Sequence, residues 1–70
     1  MAKLLPITNC VKELREAAGM TQAELGEHVG VTRQTIAAIE QRRYSPSLET
    51  AFRIAVTFNT NLEAVFEYQP

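Results

Sequence analysis

The sequence predicts an all-α domain of five short helices, and three observations carry that reading. Turn signals recur at short intervals along the 70 residues, at Gly19, at Gly30 and in the run Tyr44-Ser45-Pro46-Ser47. The stretches between them repeat apolar residues at the spacing of a helical face. Most of those stretches open on a residue able to cap a helix.

The first segment runs from about Asn9 to Ala18, with Val11, Leu14 and Ala18 on one face. Thr8 or Asn9 can cap it, and Gly19 supplies the stop. The second opens at Thr21-Gln22-Ala23-Glu24, where Thr21 and Glu24 fit a capping box. Its Leu25 and Val29 face inward, and Gly30 ends it. The third starts at Thr32 and reaches about Gln41, with Ile36 and Ile39 toward the core. The fourth follows Pro46, is capped by Ser47, and carries the stripe Leu48, Ala51, Ile54, Ala55 and Phe58. Phe52 and Val56 lie off that stripe. The fifth starts at Asn61, with Leu62, Val65 and Phe66 inward. At the ends, Leu4-Leu5-Pro6-Ile7 and Phe66-Glu67-Tyr68-Gln69 are short, and the second alternates apolar and polar. Read alone, such ends fray; pairing of the termini as two strands is the alternative.

Size and composition narrow the function. Seventy residues make one domain, 1–70, whose core is small. Such a chain gains from a disulfide, a metal or a partner subunit. Cys10 is the single cysteine, His28 the single histidine, and aspartate is absent. An intrachain disulfide is therefore impossible. Neither a metal cluster nor a Ser-His-Asp set can be assembled, so no catalytic residue, metal or cofactor is expected. A second copy is the remaining staple, and a homodimer is expected. The free cysteine and the lack of a signal-peptide pattern or a long apolar run suit the cytoplasm.

The net charge is −1, but its distribution is uneven. Residues 1–32 sum to −1, residues 33–53 to +2 and residues 54–70 to −2. Within the basic stretch, segments two and three are joined only by Gly30-Val31-Thr32, the signature of a tight helix-turn-helix over about residues 21–41. Gly26 sits mid-helix, where glycine costs about 1 kcal/mol relative to alanine. A close helix crossing would require it.

Segment three presents Arg33, Gln34, Ala37, Ala38 and Gln41 on the arc opposite Ile36 and Ile39. Long polar groups at the leading end and alanines in the middle suit a helix that seats in the DNA major groove. Arginine can grip a guanine edge, glutamine an adenine edge, and an alanine methyl can meet a thymine methyl. Arg42, Arg43 and Tyr44 follow the helix, where the chain can pass a phosphate backbone. Gln22 can offer a side chain and a helix N-terminus to another phosphate. Taken alone, Arg42 and Arg43 read better as solvated charges or dipole partners; beside the helix-turn-helix the phosphate reading is preferred. Arg15 and Glu40 each lie beside an apolar face, so they are expected to pair, since a lone buried charge is expensive. The alternative is that both reach water.

These residues are similar to the lambda-repressor-like, Cro-type helix-turn-helix regulators, the XRE family, over about Cys10 to Phe66. The resemblance rests on Gln22, Gly26, Gly30, Ile36, Ile39, and the Ile39-Glu40 pair followed by a basic loop and Pro46-Ser47-Leu48. It implies a compact five-helix domain that binds duplex DNA as a homodimer. By position it implies base reading by Arg33, Gln34 and Ala38, and Ala37 and Ala38 stand where many relatives carry polar base readers. Phosphate contacts are implied at Gln22, Thr35, Arg43 and Tyr44, and Thr32 and Arg42 are added to them as further candidates. Arg15 and Glu40 occupy a family ion-pair position. The chain resembles a minimal subgroup in which the termini pair as a small antiparallel sheet and the C-terminal region dimerises. That puts the interface at Asn61, Leu62, Val65 and Phe66, with Phe52 and Val56 as candidates. Many relatives have alanine at Gly26, read as a harmless change, glycine at Asn59, and Gly or Asn at Arg42.

The function expected is a transcriptional regulator, a repressor occupying a palindromic operator, with no small-molecule ligand and no membrane. The alternatives are an antitoxin or restriction-controller regulator on the same fold, or a protein-interaction module using the same surface. The acidic balance, with a pI near 5.7, supports the last.

Overall fold

The computed structural model describes residues 4–70. Among them the order is β1 (Ile7–Asn9), α1 (Val11–Ala17), α2 (Gln22–Val29), α3 (Arg33–Glu40), α4 (Leu48–Thr57), α5 (Leu62–Val65) and β2 (Phe66–Tyr68). The five helices and the terminal sheet match the expected architecture. β1 and β2 pair antiparallel, with Ile7 opposite Tyr68 and Asn9 opposite Phe66.

Local chemistry sets the helix starts. The Thr21 hydroxyl accepts from the Glu24 N–H at 3.0 Å, and the Glu24 carboxylate accepts from the Thr21 N–H at 2.8 Å. This reciprocal pair satisfies two backbone donors that a helix start leaves open. The Thr21 N–H holds the Glu24 carboxyl below its ordinary range, with the Thr21 hydroxyl adding to the effect. Thr32, Ser47 and Asn61 cap α3, α4 and α5 through the backbone N–H three residues on. α1 differs from expectation. Its cap residue is Cys10, whose side chain makes no capping bond, and the Asn9 amide oxygen accepts from Val11 N–H instead. Thr8 belongs to β1.

α1 to α4 also end alike. A residue in the left-handed region closes each one: Gly19 (φ 69°), Gly30 (φ 81°), Arg42 (φ 60°) and Asn59 (φ 54°). The next N–H reaches back five residues to a helix carbonyl, as Arg43 does to Ala38 at 2.9 Å and Thr60 to Ala55 at 2.9 Å. This closure uses carbonyls the helix cannot.

Val11, Leu25, Val29, Ile36, Ile39, Ile54, Ala55 and Val65 form the core, with Leu14, Met20, Val31, Phe58 and Phe66 packed around it. Burying each of the larger side chains stabilises by about 1.5–3 kcal/mol. Two stripe assignments change. Leu48 is 67% exposed and stands outside the core. Ala18 is exposed, because it follows the last residue of α1. Phe52 and Val56, which the sequence left open between the core and an interface, are exposed.

Gly26 is buried where α2 meets the turn into α3. A methyl added there would lie 2.6 Å from the Val31 carbonyl oxygen and 3.3 Å from the Thr32 carbonyl. Both are backbone atoms, and the Gly26 carbonyl itself accepts from Gly30 and Val31 N–H. Alanine at this position is therefore not harmless in this chain: the turn would have to open to admit it.

Candidate nucleic-acid interface

α2 and α3 are joined by a left-handed glycine and two residues, and α2 packs on both α3 and α4. Leu25 and Val29 bury one side of α2, Ile36 and Ile39 one side of α3. The opposite side of α3 is thereby turned outward. Arg33 and Gln34 are exposed at its first turn, while Ala37 and Ala38 lie half-buried behind them. The leading end of α3 thus offers long donors, and its middle offers little bulk. Arg43 and Tyr44 are exposed just after α3, held there by the Arg43 N–H bond to Ala38.

The rear of the site is an ion-pair network. Arg15 Nε donates to Glu40 Oε2 at 2.7 Å and its terminal nitrogen to Oε1 at 3.2 Å. A third donor of Arg15 meets the Met20 carbonyl at 2.9 Å. Gln22 Nε2 donates to Glu40 Oε1 at 3.1 Å. The Glu40 side chain is 4% exposed and that of Arg15 11%. Glu40 raises the Arg15 pKa further above its already high ordinary value, chiefly through their hydrogen bond. The pair fixes α1 to the last turn of α3, and the Asn9 side-chain amide donates a hydrogen bond to the Ile39 carbonyl at 2.9 Å.

Several sequence-based assignments shift. Gln22 was expected at a phosphate, yet its amide is turned inward to Glu40; only its place at the start of α2 still suits an anion. Thr32 Oγ1 caps α3 and shares a 3.0 Å hydrogen bond with the Thr35 hydroxyl, so these two groups are already engaged. Arg42 is not presented to a phosphate. Its Nε and a terminal nitrogen donate to the Leu5 carbonyl at 3.1 and 2.6 Å. Val65 is 2% exposed and spent in the core, which removes it from any interface with a second copy. Phe66 has left the helix to begin β2, and it and Leu62 are half-buried. With Ile7, Pro46, Leu48 and Ala51 they line an apolar cleft of about 260 Å³. Sequence reasoning missed Leu5 and Asn9 as partners of the α3 C-terminal end; no local pattern marks contacts across 37 and 30 positions of chain.

Two helices joined by a tight turn, with the second one's polar end outward, define a helix-turn-helix DNA-binding fold. Residues 11–65 match the helix-turn-helix family, and the chain belongs to it, with the XRE-type regulators. The chain is 55% identical over 58 residues to the uncharacterised HTH-type transcriptional regulator YgzD of Bacillus subtilis, covering 83% of this chain and 88% of that one. It is 33% identical over 55 residues to the immunity repressor protein of Bacillus phage phi105, spanning 79% of this chain and 38% of the repressor. A crystal structure from Bacteroides fragilis superposes with a TM-score of 0.77 at 21% identity, covering 87% of this chain and 98% of that one, and shows the shared fold. No helix among the described residues is long and apolar enough to cross a membrane.

Proposed function

We propose that this protein is a repressor that occupies a palindromic operator as a homodimer in the cytoplasm. The observation that carries the reading is the exposed leading end of α3, where Arg33 and Gln34 precede two small residues on an otherwise anchored helix. Arg33 and Gln34 read base edges, Ala37 and Ala38 let the helix seat, and Arg43 and Tyr44 meet phosphates. A dimer is supported by apolar surface left uncovered: Leu48, Phe52 and Val56 repeat at i, i+4 and i+8 along α4, and Leu48 also lines the cleft that holds Leu62 and Phe66. Two copies related by a two-fold axis would read half-sites about one helical turn apart.

Selection of bound sequences from random duplex DNA tests the reading as a whole, because it reports binding, palindromy and half-site spacing together. Arg33→Ala is expected to cost about 1–3 kcal/mol and to relax preference at one base position. Arg43→Ala is expected to weaken binding to all sequences and to flatten the salt dependence by about one unit. Unchanged discrimination in Arg33→Ala would overturn the docking of α3. Absence of duplex binding even at low salt, where nonspecific affinity should show, would instead favour a protein partner for the exposed apolar stripe.

A further inference from the structure

We propose that Arg42 is a positioning residue, a clamp that couples the N-terminal segment to the DNA-contacting loop. The proposal rests on the DNA-binding reading above. Four helices end on left-handed residues, and at three of them the residue is glycine or asparagine, which tolerate that conformation. At the end of α3 it is arginine, with φ 60°. Arginine lacks the short amide that lets asparagine settle there, and such a conformation persists only where the surroundings over-determine it.

The surroundings here are Leu5. The Leu5 N–H donates to the Arg42 carbonyl at 3.1 Å. The Arg42 guanidinium donates twice to the Leu5 carbonyl, at 3.1 and 2.6 Å. Both backbone polar groups of Leu5 are thus taken by one residue 37 positions away. Leu5 is in turn held two residues before β1, whose partner β2 is the far end of the described chain. Arg43, the next residue after Arg42, is set by its own N–H bond to Ala38. The direction in which Arg43 and Tyr44 leave α3 therefore depends on the backbone angles of Arg42, and these depend on the hold of Leu5. The Arg42 guanidinium keeps its charge but points its donors at a carbonyl within the protein, so its part in shaping the DNA contact runs through its neighbours.

Two variants break the clamp from opposite sides. Arg42→Gly keeps the left-handed turn and removes the guanidinium. Leu5→Pro removes the N–H donor and leaves every cation in place. Amide exchange at Leu5 in the DNA-free protein, and affinity for a random-sequence duplex at low salt, are the readouts. In Arg42→Gly, Leu5 exchange is expected to rise about tenfold or more, with Tm held within about 5 °C of the parent. Both variants are expected to bind the duplex at least about threefold more weakly, and Arg42→Gly adds no further loss in an Arg43→Ala background. Unchanged Leu5 exchange in Arg42→Gly would overturn the clamp. Losses from Arg42→Gly and Arg43→Ala that add, with Leu5→Pro binding as well as the parent, would make Arg42 a direct phosphate contact and overturn the positioning role. A parent protein that binds no duplex would overturn the DNA reading itself, and the role at DNA with it, while Leu5 exchange still reports on the clamp.

Discussion

Arg15→Ala is expected to lower folding stability by about 3–5 kcal/mol, the cost of stranding one partner of a buried ion pair. A domain of this size holds about 4–10 kcal/mol in total, so the variant sits near the edge of folding. The physical reason is Glu40. Its side chain is 4% exposed, and without Arg15 its two oxygens keep one neutral donor, from Gln22. Glu40→Ala should cost less, because the stranded Arg15 keeps the Met20 carbonyl and is the more exposed of the two. The folded-state pKa of Arg15 is raised, so its contribution is fully present below its ordinary value and fades only as pH rises through the raised one. Titration of Arg15 itself therefore removes none of it at neutral pH. Replacing both residues by apolar ones of similar size should cost less than Arg15→Ala, since it leaves no unpaired charge and strands only the Met20 carbonyl and the Gln22 amide. Urea unfolding of the single variants and of the double apolar replacement measures all of this. A loss under about 1 kcal/mol in Arg15→Ala would place the pair with solvated surface bridges, and its anchoring of α3 would go with it.

Ala38→Glu is expected to abolish duplex binding and to leave the fold intact. Ala38 lies half-buried on the arc of α3 that carries Gln34, and its carbonyl, not its methyl, makes the turn bond to Arg43. Glutamate is a good helix former, so the helix tolerates it. In the groove it would set a carboxylate against phosphates, a juxtaposition that costs several kcal/mol, or about 100-fold in affinity at the least. Ala38→Gln has nearly the same bulk without the charge and should shift base preference more than it weakens binding. Circular dichroism and a titration with operator and random duplex separate the two effects. Ala38→Glu that binds as the parent does would show that this arc of α3 does not approach DNA, and would leave the exposed apolar stripe of α4 as the leading contact surface.

Much of the fold was legible because its signals are local. Thr21, Thr32, Ser47 and Asn61 cap helices through bonds spanning three residues, and Gly19 and Gly30 close them within five. Ile36 and Ile39 lie on one helical face, and periodicity finds such faces. The misreadings share a cause as well. Leu48 fits the apolar period of α4 yet stands at its first turn, beyond the reach of the core. Val65 and Phe66 looked equivalent until the chain changed from helix to strand between them. Arg42 looked like a surface cation because its partner is the backbone of Leu5, and backbone carries no sequence signal. Gly26 was noticed for its cost in a helix, but the atom that forbids a methyl, the Val31 carbonyl, belongs to the turn geometry.

The pairing of β1 with β2 has a kinetic consequence. Thr8 and Glu67 are joined across 59 positions of chain, whereas the α2–turn–α3 unit is assembled from near neighbours. Closing a long loop costs entropy before any contact rewards it. The helical unit is therefore expected to fold early, with the terminal sheet and the Leu5–Arg42 bonds closing last and opening first. Native-state hydrogen exchange would show it as strand amides that exchange through partial opening while Leu25 and Ile36 wait for global unfolding; equal protection throughout would mean the chain opens as one unit. Early and late parts meet at the end of α3, so the loop that follows it is the place where the ordering of the chain is completed.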